Sequence, residues 1–463
     1  MTDRKLHLNA FLMSSGHHEA AWRLPESDPY ADVDVQHWIR LARIAERGKL
    51  DSLFLADGPA LWQGIEFRPA GQLEPTILLT LLAAATSRIG LIATASTTYN
   101  EPYNLARRFA SLDHVSGGRA GWNIVTTAGR DAARNFGLGD RPDHLDRYRR
   151  ATEFVEVSRK LWDSWDDDAR LADKARGRYV DPAKVHAIGH RGDYYKVEGA
   201  LNVPRPPQGH PLLVQAGSSH DGKDFAARYA DAVFTAQQTI ADAQRFYADL
   251  KARAAALGRD PAAVKILPGI VPILGSTEAE ALRLAQDLED LIVPEFGLGQ
   301  LSEILEVPVA RLVLDEQLPD DIPDSASIEG AQSRSSLIVN LARRERLTVR
   351  QLIGRLGGGR GHWTFIGTPE QAADVLQEWF DNGAADGFNV MGAALPSGLE
   401  TFVDQVVPIL RERGLFRTEY EGATLREHYG LARPASRYEV SAAPAEPSGQ
   451  EASSNAITVN GSV

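Results

Sequence analysis

The 463-residue chain sets 50 Lys and Arg against 62 Asp and Glu, a formal charge of −12, and its 43% hydrophobic content is that of a globular protein, without a single cysteine. Cysteine chemistry is excluded, whether as disulfide, thiolate metal site or nucleophile, and the acidic balance argues against nucleic acid as a partner. No apolar run approaches the roughly 20 residues that cross a bilayer, the first apolar stretch is too short for a signal peptide, and a cytoplasmic location is the expectation.

In chain order, Lys5 to Met13 alternates and then turns apolar, predicting a first strand that runs into the loop Ser14-Ser15-Gly16-His17-His18. Asp34 to Arg47 repeats apolar residues at helical spacing and ends at Gly48. Leu53 to Ala56 is a buried strand with Asp57-Gly58 at its carboxyl end, and a helix follows from Glu74 to Ser87. Gly90 to Ala95 and Ala120 to Thr126 are apolar runs suited to strands buried on both faces of a parallel sheet. The helix between them starts at Pro102 and stops at Ser116-Gly117-Gly118. Both strands end on small polar side chains, Thr94, Ser96, Thr97 and Thr98 in the first and Asn123, Thr126 and Thr127 in the second. Parallel α/β proteins bind ligands at that edge, although the same hydroxyls would also serve as loop caps.

Pro142 to Trp165 reads as the longest helix, and the polar, proline-punctuated residues 166–210 as a first insertion, a hairpin or excursion. The remaining strands are Leu212 to Ala216, Ala232 to Ala236, Lys265 to Leu274 and Gly387 to Gly392. Helices are predicted after Gly217-Ser218-Ser219 up to Tyr229, then at Ile240 to Leu257, Glu278 to Leu291, Pro369 to Phe380 and Leu399 to Arg413. Residues 292–361 break this rhythm with short helical pieces and the glycine-rich Gly357 to Gly361; they form a second insertion and a candidate lid. Residues 1–433 therefore read as one domain and 434–463 as a disordered tail. Eight strands alternating with helices indicate a (β/α)8 TIM barrel with two long insertions. A doubly wound open sheet is the rival, disfavoured because no Gly-x-Gly-x-x-Gly follows the first strand.

On a barrel, Phe11, His17, Asp57, Thr94, Asn123, Ser218, Phe234 and Asn389 converge on one rim. Asp57 is either a ligand-orienting acceptor or a cap. Ser218 and Ser219 open a helix, where backbone N–H groups and the helix dipole suit a phosphate, or where one serine is simply the N-cap. His144 and Tyr148, spaced i, i+4, share a helix face and could reach one anion or form a packed aromatic pair. The basic run Arg147 to Arg150 reads as a solvated helix face. Twelve histidines include no His-x-x-x-His or His-Glu-x-x-His, so no metal is expected.

Longer segments carry a resemblance: Ala20-Ala21-Trp22-Arg23, Leu53-Phe54-Leu55-Ala56-Asp57, Thr94-Ala95-Ser96-Thr97-Thr98-Tyr99, Phe109-Ala110-Ser111-Leu112-Asp113-His114, Leu161-Trp162-Asp163-Ser164-Trp165 and Arg413-Gly414-Leu415-Phe416. With them the chain resembles, over nearly all of residues 6–433, the bacterial luciferase-like flavin monooxygenases, in the branch that includes nitrilotriacetate monooxygenase component A, dibenzothiophene-sulfone monooxygenase and a pristinamycin synthase subunit. The resemblance implies a barrel that takes reduced FMN (FMNH2) from a separate NAD(P)H:flavin reductase and reacts it with O2 to a peroxyflavin. The product would be an oxygenated small organic molecule: an aminopolycarboxylate, a sulfur compound or an aromatic. It places Asp57, Thr94 and Asn123 near the isoalloxazine and His144, Tyr148, Ser218 and Ser219 on the ribityl chain and phosphate. Phe11, Phe54, Trp62 and Phe234 would line the substrate pocket, and His17 would be the proton donor or acceptor. Arg68 and Arg130 could meet a carboxylate or sulfonate, or lie at the surface. The family also implies a homodimer or homotetramer. Two alternatives share the barrel, a deazaflavin-dependent oxidoreductase and a non-catalytic flavin-binding protein.

Overall fold

The computed structural model describes residues 4–439 apart from 62, 63, 70, 141, 323–331 and 360. Eight parallel strands form its centre: β1 (His7–Leu12), β2 (Ser52–Leu55), β3 (Gly90–Ser96), β4 (Ala120–Val125), β5 (Leu212–Gln215), β6 (Ala232–Thr235), β7 (Lys265–Leu274) and β8 (Gly387–Val390). They pair in sequence from β1 to β7, β8 inserts between β7 and β1, and the ring closes as a (β/α)8 barrel. Alternation along each strand decides what faces where. Leu53, Leu55, Leu91, Ala93, Trp122 and Ile124 join the cluster under the helices, while Phe11, Phe54, Ile92, Val214, Phe234 and Leu267 form the separate cluster inside the barrel.

The connecting helices start where the sequence supplies caps. Asp34 accepts from Gln36 and His37 at the start of α1 (Val35–Arg47), and Glu74 from Ile77 at α2 (Pro75–Ala85). After α3 (Pro102–Ser116), Asp143 caps α4 (His144–Trp162), with a short unforeseen helix, Arg130–Asn135, before it. Then come α5 (His220–Tyr229), α6 (Ile240–Ala256) and α7 (Glu278–Asp290). The closing helical run contains a π turn, Phe402–Val406, beside Pro408, which has no N–H to give the carbonyl four residues back.

Within residues 166–210 lie two exposed hairpins, Arg170–Asp173 with Arg178–Val180 and His190–Arg191 with Lys196–Val197. They brace α4, Glu153 accepting from the Tyr194 and Tyr195 amides. Among the described residues, 292–361 include three α-helices, α8 (Pro294–Leu305), α9 (Gln332–Glu345) and α10 (Val349–Gly359), around an apolar core of their own. Gly357 to Gly359, read as a break, end the last helix instead. A further strand, Trp363–Gly367, was not foreseen, because its five residues are flanked by glycines and only half buried. It pairs with Ile270–Leu274, the upper half of β7, which at ten residues outruns the other barrel strands.

Residues 434–439, read as part of the tail, are ordered by contacts with the first insertion. Arg205 donates to the Pro434 carbonyl at 2.7 Å and the Tyr438 ring stacks on His186 at 3.8 Å, so the chain is fastened to the 166–210 insertion as far as Tyr438; residues 440–463 lie outside the described residues. Just upstream, Leu425 and Tyr429 enter the amino end of the barrel, with the Tyr429 hydroxyl 2.8 Å from Asn9 Oδ1. That end is plugged, which leaves the carboxyl end as the mouth.

Beneath the plug, the fully buried Asp51 accepts from the Leu8 amide at 2.7 Å and Arg417 at 2.6 Å, with His7 Nδ1 at 3.0 Å. Burial alone would raise this carboxyl, but Arg417, His7 and the Leu8 amide overcome it and hold it down to about 2. Because the folded value lies below the unfolded one, near 3.9, the stabilisation is present above about pH 4 and is lost as pH falls towards 2. Asp51→Ala, which strands the buried Arg417 without its carboxylate, is expected to cost about 3–5 kcal/mol in urea unfolding near neutral pH and much less near pH 2; equal loss at both would overturn this assignment.

Candidate active site

Four features meet at the mouth. Phe11, Phe54 and Phe234, from β1, β2 and β6, interlock edge to face across the barrel with centroids 4.9–5.6 Å apart. Their contact is what an alternating strand pattern produces when three inward positions on one level are aromatic. Against Phe11 lies His17, rings 4.6 Å apart, and its Nε2 sits 3.0 Å from the Phe11 carbonyl. A carbonyl can only accept, so Nε2 carries the proton and Nδ1 is the position that can exchange one. Its neighbour His18 is also buried, and burial pushes it down to about 4, so it is neutral near pH 7.

The second feature spans β3 and β4. Thr94 and Asn123 are register partners, and Asn123 Nδ2 donates to Thr94 Oγ1 at 2.8 Å. That bond fixes the amide's orientation. Asn123 Oδ1 is buried and has no protein hydrogen-bond partner among the described residues.

Third, the loop after β5 enters α5 beside the start of α4. Ser219 is the N-cap, accepting from Gly222 at 3.1 Å, the commoner of the two uses read for it, and Ser218 stands half-buried before it. At Gly217 a Cβ would meet the end of the Gln215 side chain and crowd Gly222, so a side chain there would require the Gln215 amide to move. Asp221, in the first turn, meets His144 Nε2 at 3.1 Å, and His144 lies 5.1 Å from the Tyr148 ring, which packs on Phe225. Tertiary structure thus joins His144 and Tyr148 to Ser219.

The reading of Arg147 to Arg150 as a solvated face fails at its first member. Arg147 is 4% exposed, with Nη2 3.4 Å from His144 Nδ1 and Nη1 3.5 Å from the Thr127 carbonyl. It lies three residues after His144, on the same inward side of α4, a position that a run of four basic residues conceals.

Fourth is Asp57, at the end of β2. Although exposed at the mouth, its carboxyl is ringed by protein, and burial, with the Glu74 charge, pushes it up to about 6 against the opposing Gly58 amide and Arg108. Trp62 lies outside the described residues. Arg130 is a surface residue near Asp140, whereas Arg68 is buried against Glu19 at 3.4 Å. Glu19 and His362 belong to the mouth's surroundings and were missed: each lies in a loop whose spacing carries no period.

An aromatic floor, an amide and hydroxyl wall and an anion-compatible helix start on adjoining strands suit a barrel enzyme that holds a large planar cofactor. Comparison with known proteins narrows this. The model for the luciferase-like monooxygenase family matches residues 11–386. The chain is 49% identical over 445 residues to nitrilotriacetate monooxygenase component A of Aminobacter aminovorans, covering 93% of this chain and 98% of that protein. It is 48% identical over 441 residues to N-acetyl-S-(2-succino)cysteine monooxygenase of Bacillus subtilis (strain 168), covering 95% and 100%. A solved riboflavin lyase, with modified FMN and riboflavin, superposes with a TM-score of 0.82 at 32% identity, covering 92% of this chain and 96% of that one. The chain belongs to the luciferase-like monooxygenase family and is a flavin-dependent monooxygenase.

Proposed function

We propose that this chain is the oxygenase of a two-component system, binding reduced FMN supplied by a separate NAD(P)H:flavin reductase and using O2 to oxygenate a small polycarboxylate. The observation that carries the reading is the buried Asn123 Oδ1, an acceptor with no protein donor among the described residues and one strand from the α5 helix start. An isoalloxazine ring N–H answers the first, and a phosphate answers the second. Reduced flavin supplies two electrons to O2, one oxygen atom going to the substrate and the other leaving as water.

The chain's own residues do the rest. Thr94 orients the Asn123 amide, and Asp57 stands at the end of the adjoining strand β2. Ser218 and Ser219 offer a phosphate backbone N–H groups and hydroxyls, with His144 and Tyr148 alongside. His17 holds or moves a proton at Nδ1, because Nε2 is committed to the Phe11 carbonyl. Phe11, Phe54 and Phe234 keep water out from below, and the second insertion covers the mouth from the side of the β1 and β2 loops. The substrate class rests on the two relatives named above, both named for molecules with several carboxylates.

The test is anaerobic titration with photoreduced FMN, followed by turnover of nitrilotriacetate and N-acetyl-S-(2-succino)cysteine with a flavin reductase. Expected are tighter binding of reduced than of oxidised FMN and an oxygenated product from at least one probe. Equal binding of the two redox forms would sink the cofactor reading, and tight reduced-FMN binding without product would sink the substrate class.

A further inference from the structure

The segment that leads out of the second insertion hands one side chain directly to the aromatic floor. His362, between α10 and the strand Trp363–Gly367, stacks on Phe234 with centroids 4.7 Å apart and planes 5° from parallel. Gln238 holds the preceding turn by donating to the Gly361 carbonyl at 2.8 Å. Beneath the imidazole is Gly269, in the interior of β7, where glycine ordinarily weakens a strand and marks a close approach. A Cβ there would stand 2.5 Å from His362 Nδ1 and 2.9 Å from both Met391 and Phe234. The barrel therefore gives up one inward side chain to seat this ring.

Apolar packing does not require an imidazole in that seat, since a leucine or phenylalanine would cover Phe234 as well. The imidazole adds an in-plane N–H donor in either charge state. It stands opposite a second one: His17 leans on Phe11, Phe11 meets Phe234 at 5.4 Å, and Phe234 carries His362, so two imidazoles flank one apolar floor. We infer that His362 is a specificity-determining residue that donates a hydrogen bond to a carboxylate of the substrate, while the floor takes its carbon skeleton. This rests on the polycarboxylate reading above.

The test uses the full chain with a flavin reductase and nitrilotriacetate or N-acetyl-S-(2-succino)cysteine as probe. His362→Phe keeps the stack and deletes the donor, His362→Gln keeps a donor, and Gly269→Ala crowds the ring without changing its chemistry. KM for the probe is expected to rise about tenfold or more in His362→Phe and Gly269→Ala, with a smaller fall in kcat. His362→Gln should recover most of the loss, and the Kd for reduced FMN should stay within about twofold, which separates a substrate contact from general damage. An unchanged KM in a folded His362→Phe, or loss of reduced-FMN binding in parallel with KM, overturns the assignment alone. Absence of any saturable response to either probe in the wild type overturns the substrate class and this assignment together.

Discussion

Asn123→Leu is expected to weaken reduced-FMN binding by about 10–100-fold while leaving the free protein as stable as the wild type, or more so. The two effects have one cause. Asn123 Oδ1 is buried with no protein donor among the described residues, so in the free protein it bears a desolvation penalty that a leucine of similar size avoids. A ring N–H that satisfies this oxygen recovers the penalty on binding, about 1–3 kcal/mol, which is roughly 10–100-fold in affinity. Thr94→Val leaves the carbonyl but removes the bond that aims it, and should cost only a few-fold. Anaerobic titration and thermal denaturation of the free variants measure both quantities. An Asn123→Leu protein that loses stability yet binds reduced FMN normally would show the amide to be scaffold.

Glu19→Ala is expected to cut the yield of oxygenated product per O2 consumed several-fold, with hydrogen peroxide making up the difference. Glu19 is the knot between three segments: Oε1 accepts from Gln300 of α8 at 2.7 Å and lies 3.4 Å from Arg68 of the β2 loop, while its amide donates to the Gly357 carbonyl of α10 at 2.9 Å. Both charged side chains are nearly buried, 6% and 9% exposed. Removing the carboxylate withdraws a negative partner from the nearly buried Arg68 and the acceptor of the Gln300 bond, so that fewer contacts, among them Phe67 with Phe296 at 5.8 Å between centroids, hold these loops against α8. The wall then opens part of the time and water enters, the condition under which reduced oxygen leaves unused. Oxygen uptake with and without catalase, set against product, gives the ratio. Because Glu19 is far from the anion-compatible helix start, reduced-FMN affinity should change less than about twofold; a variant with undiminished product yield would sever the insertion from the chemistry.

Much of the barrel was legible because its signal is local. A strand buried on both faces must be a short apolar run, a helix over it must repeat its apolar residues every three to four positions, and caps such as Asp34 and Asp143 mark where the period changes. Thr94 and Asn123 could be read as rim residues for the same reason, since each falls at the carboxyl end of such a run. The sequence by itself determined the fold class, the family and the strand ends from which the site is built.

Its surroundings had no local signal, because they are made by contacts between residues far apart in the chain. Whether Arg147 is solvated depends on which side of α4 meets the barrel, not on the residues beside it. Glu19 becomes a knot only when Arg68 and Gln300 are brought to it, and His362 reaches the floor only because β7 leaves Gly269 without a side chain. The strand Trp363–Gly367 forms because β7 is long enough to carry a partner above the barrel. Only the tertiary structure decided these, because burial, charge pairing and the room for a ring belong to the packed chain and have no period along it.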